Sequence, residues 1–382
     1  MNFNKIIKEY RKLGCPPNVF NPCELPLTRN KYFWICTERS VGKTTNVLLF
    51  GMIANKVEGT QIQYIRQFAP MIERRNLRQL FATIKSFDYI PKITEGHYTD
   101  VVYQSKGWYY CNYAEDGTIL DRAPDPFMNC LSIDQNELYK STYNAPQGDI
   151  IIFDEALSTR YPQDEFIRLC DLIKTIIRDR TTPIVFCLAN TIDRQHQYFY
   201  EFELNDIVSS LPLGQHSETI TSGGTPIYVD FYTPGRSEVK QRHNSLFFGF
   251  RSKKLGAITG KDWSITPMPH PRRDDDRKVL FRSTYLLYED RLIQLELCHS
   301  EYDGMHVIAH FSTTEPKKDA IIYSMGLMID WRYHYKFGSS KSKLDSMIWT
   351  LYERKKWFYA SNAVGAICNK YYQTAKDYRR LY

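Results

Sequence analysis

Tyr32-Phe33-Trp34-Ile35-Cys36-Thr37-Glu38-Arg39-Ser40-Val41-Gly42-Lys43-Thr44 is the stretch on which the fold turns. Its first five residues are aromatic, β-branched or thiol-bearing and carry no charge, as a strand buried on both faces requires. The last three close a loop, and residues 44–55 then read as a helix. Strand, loop and helix in that order predict a phosphate-binding loop. Backbone N–H groups at the helix start wrap an anion, Lys43 neutralises its β and γ groups, and Thr44 holds Mg²⁺. One departure from the G-x-x-x-x-G-K-[ST] pattern stands out: Thr37 occupies the place of the first glycine.

Working outward, residues 61–66 predict a second strand and 70–87 one amphipathic helix. Residues 97–130 carry alternating aromatics broken at Gly107 and at Asp116-Gly117, which predicts an inserted β-hairpin element. The run Ile150-Ile151-Ile152-Phe153 predicts another buried strand, 163–177 a helix and 183–188 a further buried strand. Upstream, residues 5–13 predict a helix without a cap. Strand and helix in alternation are the pattern of a parallel α/β sheet, so residues 1–207 are expected to form one P-loop domain. Glycines and prolines punctuate 208–271, which is expected to be a linker. Residues 272–382 are expected to form a smaller α/β or α+β domain, with strands at 278–287, 291–298 and 305–312 and helices near 341–357 and 361–379.

Composition sets the bounds. A chain of 382 residues, 43% apolar and 24% charged, is a folded protein of two or three domains rather than a disordered one. No run approaches the roughly 18 apolar residues of a membrane span. Residues 1–9 lack the apolar core of a secretion signal, so a soluble protein kept in the cytosol is expected. The nine cysteines are scattered with no C-x-x-C pair, which argues against a disulfide framework or a zinc ribbon. Net charge is +7, yet residues 332–382 alone hold eleven Lys and Arg against three Asp and Glu. Such a basic end suits a polyanion, because cations on one face displace counterions from phosphate.

The second chemical signal is Asp154-Glu155, two adjacent carboxylates where the strand 150–153 leaves what would be the carboxyl edge of the sheet. Ligands bind at that edge. Asp154 would support the Mg²⁺ shell and Glu155 would polarise a water for attack on the γ-phosphate. Asn190, closing Leu188-Ala189-Asn190, is placed to sense the γ-phosphate. Arg178 and Arg180 are each a candidate arginine finger, or ordinary compensation of a helix dipole. Lys140-Ser141 precede the carboxylate strand.

The ordered set Phe153-Asp154-Glu155, Arg178-Asp179-Arg180, Leu188-Ala189-Asn190 and Tyr198-Phe199, together with Arg39, Gly42, Lys43, Thr44, Tyr64-Ile65-Arg66 and Lys140-Ser141, resembles the DNA-packaging (encapsidation) ATPases of small phi29-type tailed phages. The resemblance covers most of residues 30–207. It implies an additional-strand P-loop ATPase related to terminase large subunits, acting as a ring of five copies at the portal of a preformed capsid. Such a motor uses ATP and Mg²⁺ to drive double-stranded DNA inward, with a packaging RNA as a further partner. It works without a membrane, in the host cytoplasm and transiently at the portal vertex of the procapsid. Carried over residue by residue, Arg39, Ser40, Val41, Gly42, Lys43, Thr44, Thr45 and Asn190 would contact nucleotide, and Thr44 and Asp154 the metal. Glu155 would be catalytic, Arg178 the finger into a neighbouring subunit, and Lys140 a second trans-acting group. Gln67-Phe68-Ala69 lack the further basic residues expected after Arg66.

The same resemblance implies that the second domain is a vestigial RNase H-like nuclease. Glu296, Asp303 and Asp330 fall on no acidic motif of a two-metal site, so no cleavage is expected. Arg354, Lys355 and Lys356 are the candidate phosphate contacts. Trp349, Tyr352, Trp357 and Tyr371, interleaved with the cations, read first as core at helical spacing and second as stacking surfaces. Two other readings compete: a terminase-like or helicase-like nucleic-acid ATPase, and a nucleic-acid-binding docking subunit without ATP turnover. Retention of Lys43, Thr44, Asp154 and Glu155 argues against the second, since a buried strand needs no pair of acids at its end.

Overall fold

The computed structural model describes residues 1–14, 19–37, 41–140, 142–158, 164–190, 194, 196–233, 268–271, 276–288, 291–324 and 343–381, with side chains to residue 372 apart from that of Asp345. Two units divide the chain, Met1–Ser264 and Ile265–Tyr382.

In the first unit the strands are β1 (Tyr32–Thr37), β2 (Ile62–Arg66), β3 (Asp100–Gln104), β4 (Gly107–Tyr113), β5 (Ile119–Arg122), β6 (Met128–Ser132), β7 (Ile150–Asp154), β8 (Ile184–Asn190), β9 (His216–Ile220) and β10 (Pro226–Tyr232). They form one sheet in the order β3-β4-β6-β2-β7-β8-β1-β10-β9, with β5 on β4. From β6 to β10 the neighbours run parallel. β8 lies between β1 and β7, the additional-strand arrangement.

Side chains alternate across this sheet with the period of a strand. Phe33, Ile35, Ile150, Ile152, Phe186 and Leu188 pack on one face against the Lys43–Glu58 and Phe3–Lys12 helices. Trp34, Cys36, Ile151, Phe153 and Cys187 pack on the other against the Glu165–Ile177 helix and the Tyr198, Phe199 and Phe202 rings. Both faces are covered, which is why these strands read as unbroken apolar runs.

In this unit four sequence expectations change. The helix expected over 70–87 is broken into Ala69–Ile72, Arg74–Leu77 and Ala82–Ser86, with Leu77, Phe81 and Ile84 all buried in the core. The Phe81 ring alone meets Trp108 at 4.7 Å and Phe127 at 5.6 Å. β6 begins within the expected insertion and runs past its end, yet pairs parallel with β2. The linker expected from 208 begins too early, since β9 and β10 extend the sheet beyond β1. Gly223 and Gly224 lie in the turn between them, Gly224 at φ +83°, so punctuation that read as a linker is a hairpin. The first helix is capped after all: the Asn2 side chain accepts from the Lys5 N–H at 3.2 Å.

The second unit is a five-stranded sheet of β11 (Lys278–Tyr288), β12 (Arg291–Ser300), β13 (Gly304–Phe311), β14 (Ile321–Ser324) and β15 (Trp357–Tyr359), in the order β14-β11-β12-β13-β15. β11, β12 and β13 are an antiparallel meander, with β14 parallel to β11 and β15 parallel to β13. The helix expected over 341–357 is Lys343–Glu353; Lys355 takes a left-handed φ of 58° and the chain enters β15. Trp349 stacks on Trp357 at 5.5 Å and on Tyr371 at 6.0 Å, all three buried, so these aromatics form the core of the unit.

Candidate functional site: the carboxyl edge of the parallel sheet

Gly42 turns the chain from the loop into the Lys43–Glu58 helix at φ +78°, a left-handed conformation that favours glycine. A Cβ there would also meet the Asn46 amide at 3.0 Å and Val19 at 3.3 Å. No side chain caps this helix, which leaves the N–H groups of its first turn for a ligand, and the residues of that turn line a cleft. That cleft, of about 540 Å³, is floored by residues 41–46, Thr45 among them, and walled by Val19, Thr83, Phe87 and Tyr89. Val41 is buried and its carbonyl accepts from the Phe20 N–H at 3.0 Å, tying the loop to the preceding segment. Arg39 and Ser40 lie outside the described residues.

Strand alternation decides which side chains meet here. Asp154 and Asn190 share the parity of Ile152 and Leu188, so both point to the face of the Lys43–Glu58 helix. Lys43 Nζ donates to Asn190 Oδ1 at 2.6 Å, and Thr44 Oγ1 donates to Asp154 Oδ1 at 3.0 Å. Glu155, one residue further, would point away. Its φ of 56° reverses the backbone instead, and its carboxylate pairs with Arg66.

Tyr64 and Arg66 complete the edge. Tyr64 stands level with Ile152 in the β2–β7 register, which brings Arg66 level with Asp154. The Tyr64 hydroxyl donates to Asp154 Oδ2 at 2.7 Å, and Arg66 Nη1 donates to that hydroxyl at 3.1 Å and lies 3.5 Å from Asp154 Oδ2. Burial works against the Arg66 cation, but the Tyr64, Asp154 and Glu155 oxygens outweigh it and hold its pKa above the ordinary arginine value. Burial, and then the Asp154 charge, push the Tyr64 hydroxyl well up, so Tyr64 acts as a donor. Sequence reasoning gave Tyr64 and Arg66 no role; their i, i+2 spacing on the strand beside Asp154 was the available signal. Phe87 was missed because it closes a segment that reads as one continuous helix, and Tyr89 because it opens the separate Tyr89–Ile93 helix, which the sequence pattern did not mark.

The two arginines differ sharply. Arg180 is bound to Asp149 at 2.6 Å and to the carbonyls of Ile176 at 2.7 Å and Pro146 at 3.0 Å. Arg178 is exposed, and its guanidinium donates to the Tyr143 carbonyl at 3.2 Å. Both precede β8 and lie at the amino edge of the sheet, separated from Lys43 by the length of β7, about 16 Å for five residues. Lys140 pairs with Glu137 at 2.7 Å and with Asp171 at 3.2 Å.

In the second unit Arg354, Lys355 and Lys356 sit together in the turn before β15, the first two exposed, while Lys356 Nζ donates to the Asp303 carbonyl at 3.1 Å. Glu296 pairs with Arg282 at 3.2 Å and lies 3.8 Å from His310; Asp330 falls outside the described residues. Among the described residues no three His, Cys, Asp or Glu are placed to hold a metal ion, and no helix is long and apolar enough to cross a membrane.

No protein-family model and no curated protein sequence matches this chain. Solved structures do. "The Phi-28 gp11 DNA packaging Motor" is similar at 15% identity over 91% of this chain and 95% of that one, with a TM-score of 0.58. "The bacteriophage Phi-29 viral genome packaging motor assembly" is similar at 16% identity over 94% and 99%, with a TM-score of 0.57. The likeness spans both units, and the fold of this chain is the fold of those motor proteins.

Proposed function

We propose that this chain is an ATP-driven motor that translocates double-stranded viral DNA into a preformed capsid through its portal. The observation that carries the reading is the convergence of Lys43, Asn190, Thr44, Asp154 and Glu155 at one sheet edge, with Lys43 and Thr44 also lining the cleft at the helix N-terminus. A fold shared with two packaging motors over more than nine-tenths of the chain supports it.

In this reading ATP lies with its phosphates on the N–H groups that follow Gly42. Lys43 neutralises the β and γ groups, and Asn190, already hydrogen-bonded to Lys43, reports whether the γ-phosphate is present. The Thr44 hydroxyl and the Asp154 carboxylate are adjacent hard oxygen donors and fit Mg²⁺, which when bound offsets charge on the transferring phosphoryl group. Glu155 takes up the proton of the attacking water. Its ion pair with Arg66 must part for that, so the arrangement described here is a resting one. The Phe87 ring, 48% exposed and stacked on Tyr89 at 5.7 Å, offers a flat apolar wall to the base.

Arg178 lies at the opposite edge from its own Lys43, so it serves as a finger only for the cleft of a neighbouring copy in a ring. Arg180 instead holds the 146–149 loop to the helix end. Lys140 would join Arg178 after exchanging Glu137 and Asp171 for phosphate. Arg354 and Lys355 are the exposed candidates for DNA phosphate, and no nuclease step is assigned to the second unit.

Incubating the full chain with ATP, portal-bearing capsids and linear duplex DNA, then adding nuclease, tests the reading. Protection of DNA that depends on ATP and on Lys43 is expected; nucleotide turnover without any protection favours a terminase-like or helicase-like ATPase of other purpose.

A further inference from the structure

Behind the catalytic edge, a buried polar cluster ties together four segments. Glu165 opens the Glu165–Ile177 helix and is 2% exposed. Its carboxylate accepts from the Tyr198 hydroxyl at 2.6 Å and from the Gln67 side-chain amide. The Gln67 carbonyl oxygen accepts in turn from the Ser158 hydroxyl at 2.9 Å. His196 Nδ1 accepts from the Tyr198 backbone N–H at 3.2 Å, which places the ring proton on Nε2, 2.9 Å from the Ser158 carbonyl oxygen. The His196 and Tyr198 rings stack at 5.6 Å.

Packing alone does not call for this cluster. Burial pushes the Glu165 carboxyl up, against the two hydrogen bonds that hold it down. An apolar side chain of similar size would fill the same volume without desolvating a carboxylate. What the cluster does achieve is connection. Gln67 follows Arg66, whose guanidinium grips Asp154 and Glu155. Ser158 lies three residues past Glu155, and His196 and Tyr198 follow β8, which ends at Asn190. β2, β7 and β8 are adjacent, so three neighbouring strands deliver their outgoing chains to one node.

We propose that Glu165 is a positioning residue: gripped by Gln67 and Tyr198, it locks the chains leaving β2, β7 and β8 together, so that the Asn190 end and the Glu155 loop move as one. The proposal rests on the ATPase reading of this edge. Glu165 touches no reacting atom and acts on rate alone, because a displacement of about 1 Å at a catalytic group can cost on the order of a hundredfold while binding contacts elsewhere persist.

The test compares Glu165→Ala, Glu165→Gln and Tyr198→Phe in the full chain, measuring ATP turnover, nucleotide affinity and melting temperature. Glu165→Gln preserves the geometry: its oxygen accepts from Tyr198, its amide donates to a flipped Gln67, and Gln67 then donates to Ser158. The expected result is a roughly thirtyfold loss of kcat in Glu165→Ala, with nucleotide affinity within twofold of wild type and kcat within threefold in Glu165→Gln. Tyr198→Phe fills the same space and is expected to lose kcat about tenfold, which keeps the test open should Glu165→Ala fail to fold. Unchanged kcat in Glu165→Ala and Tyr198→Phe, equal losses in Glu165→Gln and Glu165→Ala, or losses that fall on nucleotide affinity, would each overturn the proposal. Wild-type turnover that survives Glu155→Gln would instead overturn the reading of the edge itself.

Discussion

The two sheets of this chain place their polar and aromatic residues in opposite relation to the core. In the first, β1, β7 and β8 are apolar up to their last residue and chemistry begins where the strands stop: Asp154, Asn190 and Arg66 are each the last residue of a strand, and Lys43 is the first of a helix. In the second, a segment rich in cations and aromatics suggests a nucleic-acid surface by composition, yet Trp349, Trp357 and Tyr371 are the core. Position relative to the end of a strand locates function; composition alone does not.

The largest expected effect tests the second half of that contrast. Trp349→Ala removes the ring at the centre of the second unit's core and should cost that unit about 3–5 kcal/mol of stability, read by denaturant unfolding. A loss confined to DNA binding, with no change in unfolding, would return Trp349 to a stacking surface.

Next in size, Lys43→Ala should weaken ATP affinity by about a hundredfold, close to 3 kcal/mol, while the melting temperature holds. A similar effect from Lys356→Ala would erase the contrast between the units. Third, Arg180→Ala should lower stability by about 2 kcal/mol through the lost Asp149 and carbonyl bonds. Arg178→Ala should leave stability unchanged and reduce turnover only in assembled copies. Mixing it with Glu155→Gln subunits should restore part of that turnover, and no recovery in any mixture would remove the trans assignment.

Smaller still, Phe87→Ala should weaken ATP binding by roughly tenfold and leave inorganic tripolyphosphate unaffected, since only the base loses its stacking partner. Lys355→Ala should change DNA affinity least, lowering the slope of log affinity against log salt by about one. If both changes were silent, the aromatic wall and the basic turn would each revert to plain surface.

Much of the first unit was legible because buried parallel strands announce themselves as apolar runs, as at Ile150-Ile151-Ile152-Phe153 and Pro183 onward. The P-loop, the carboxylates and Asn190 were legible for the same reason, each being the first polar residue after such a run. The pairings were not. That Arg66 meets Glu155 depends on the β2–β7 register and on a left-handed φ at Glu155, neither of which composition encodes. The Glu165 node draws on residues from 67 to 198, a separation over which no local pattern operates. β10 was hidden by its flanking glycines and prolines, and β15 by its position directly after a helix with only three residues of its own.

The most direct test of the central claim is steady-state ATP hydrolysis by the full chain with and without linear duplex DNA, with Glu155→Gln beside it. The account predicts turnover raised by DNA and reduced about a thousandfold by Glu155→Gln, with nucleotide affinity retained. Failure of the wild-type chain to bind ATP, or turnover in Glu155→Gln equal to wild type, would contradict it.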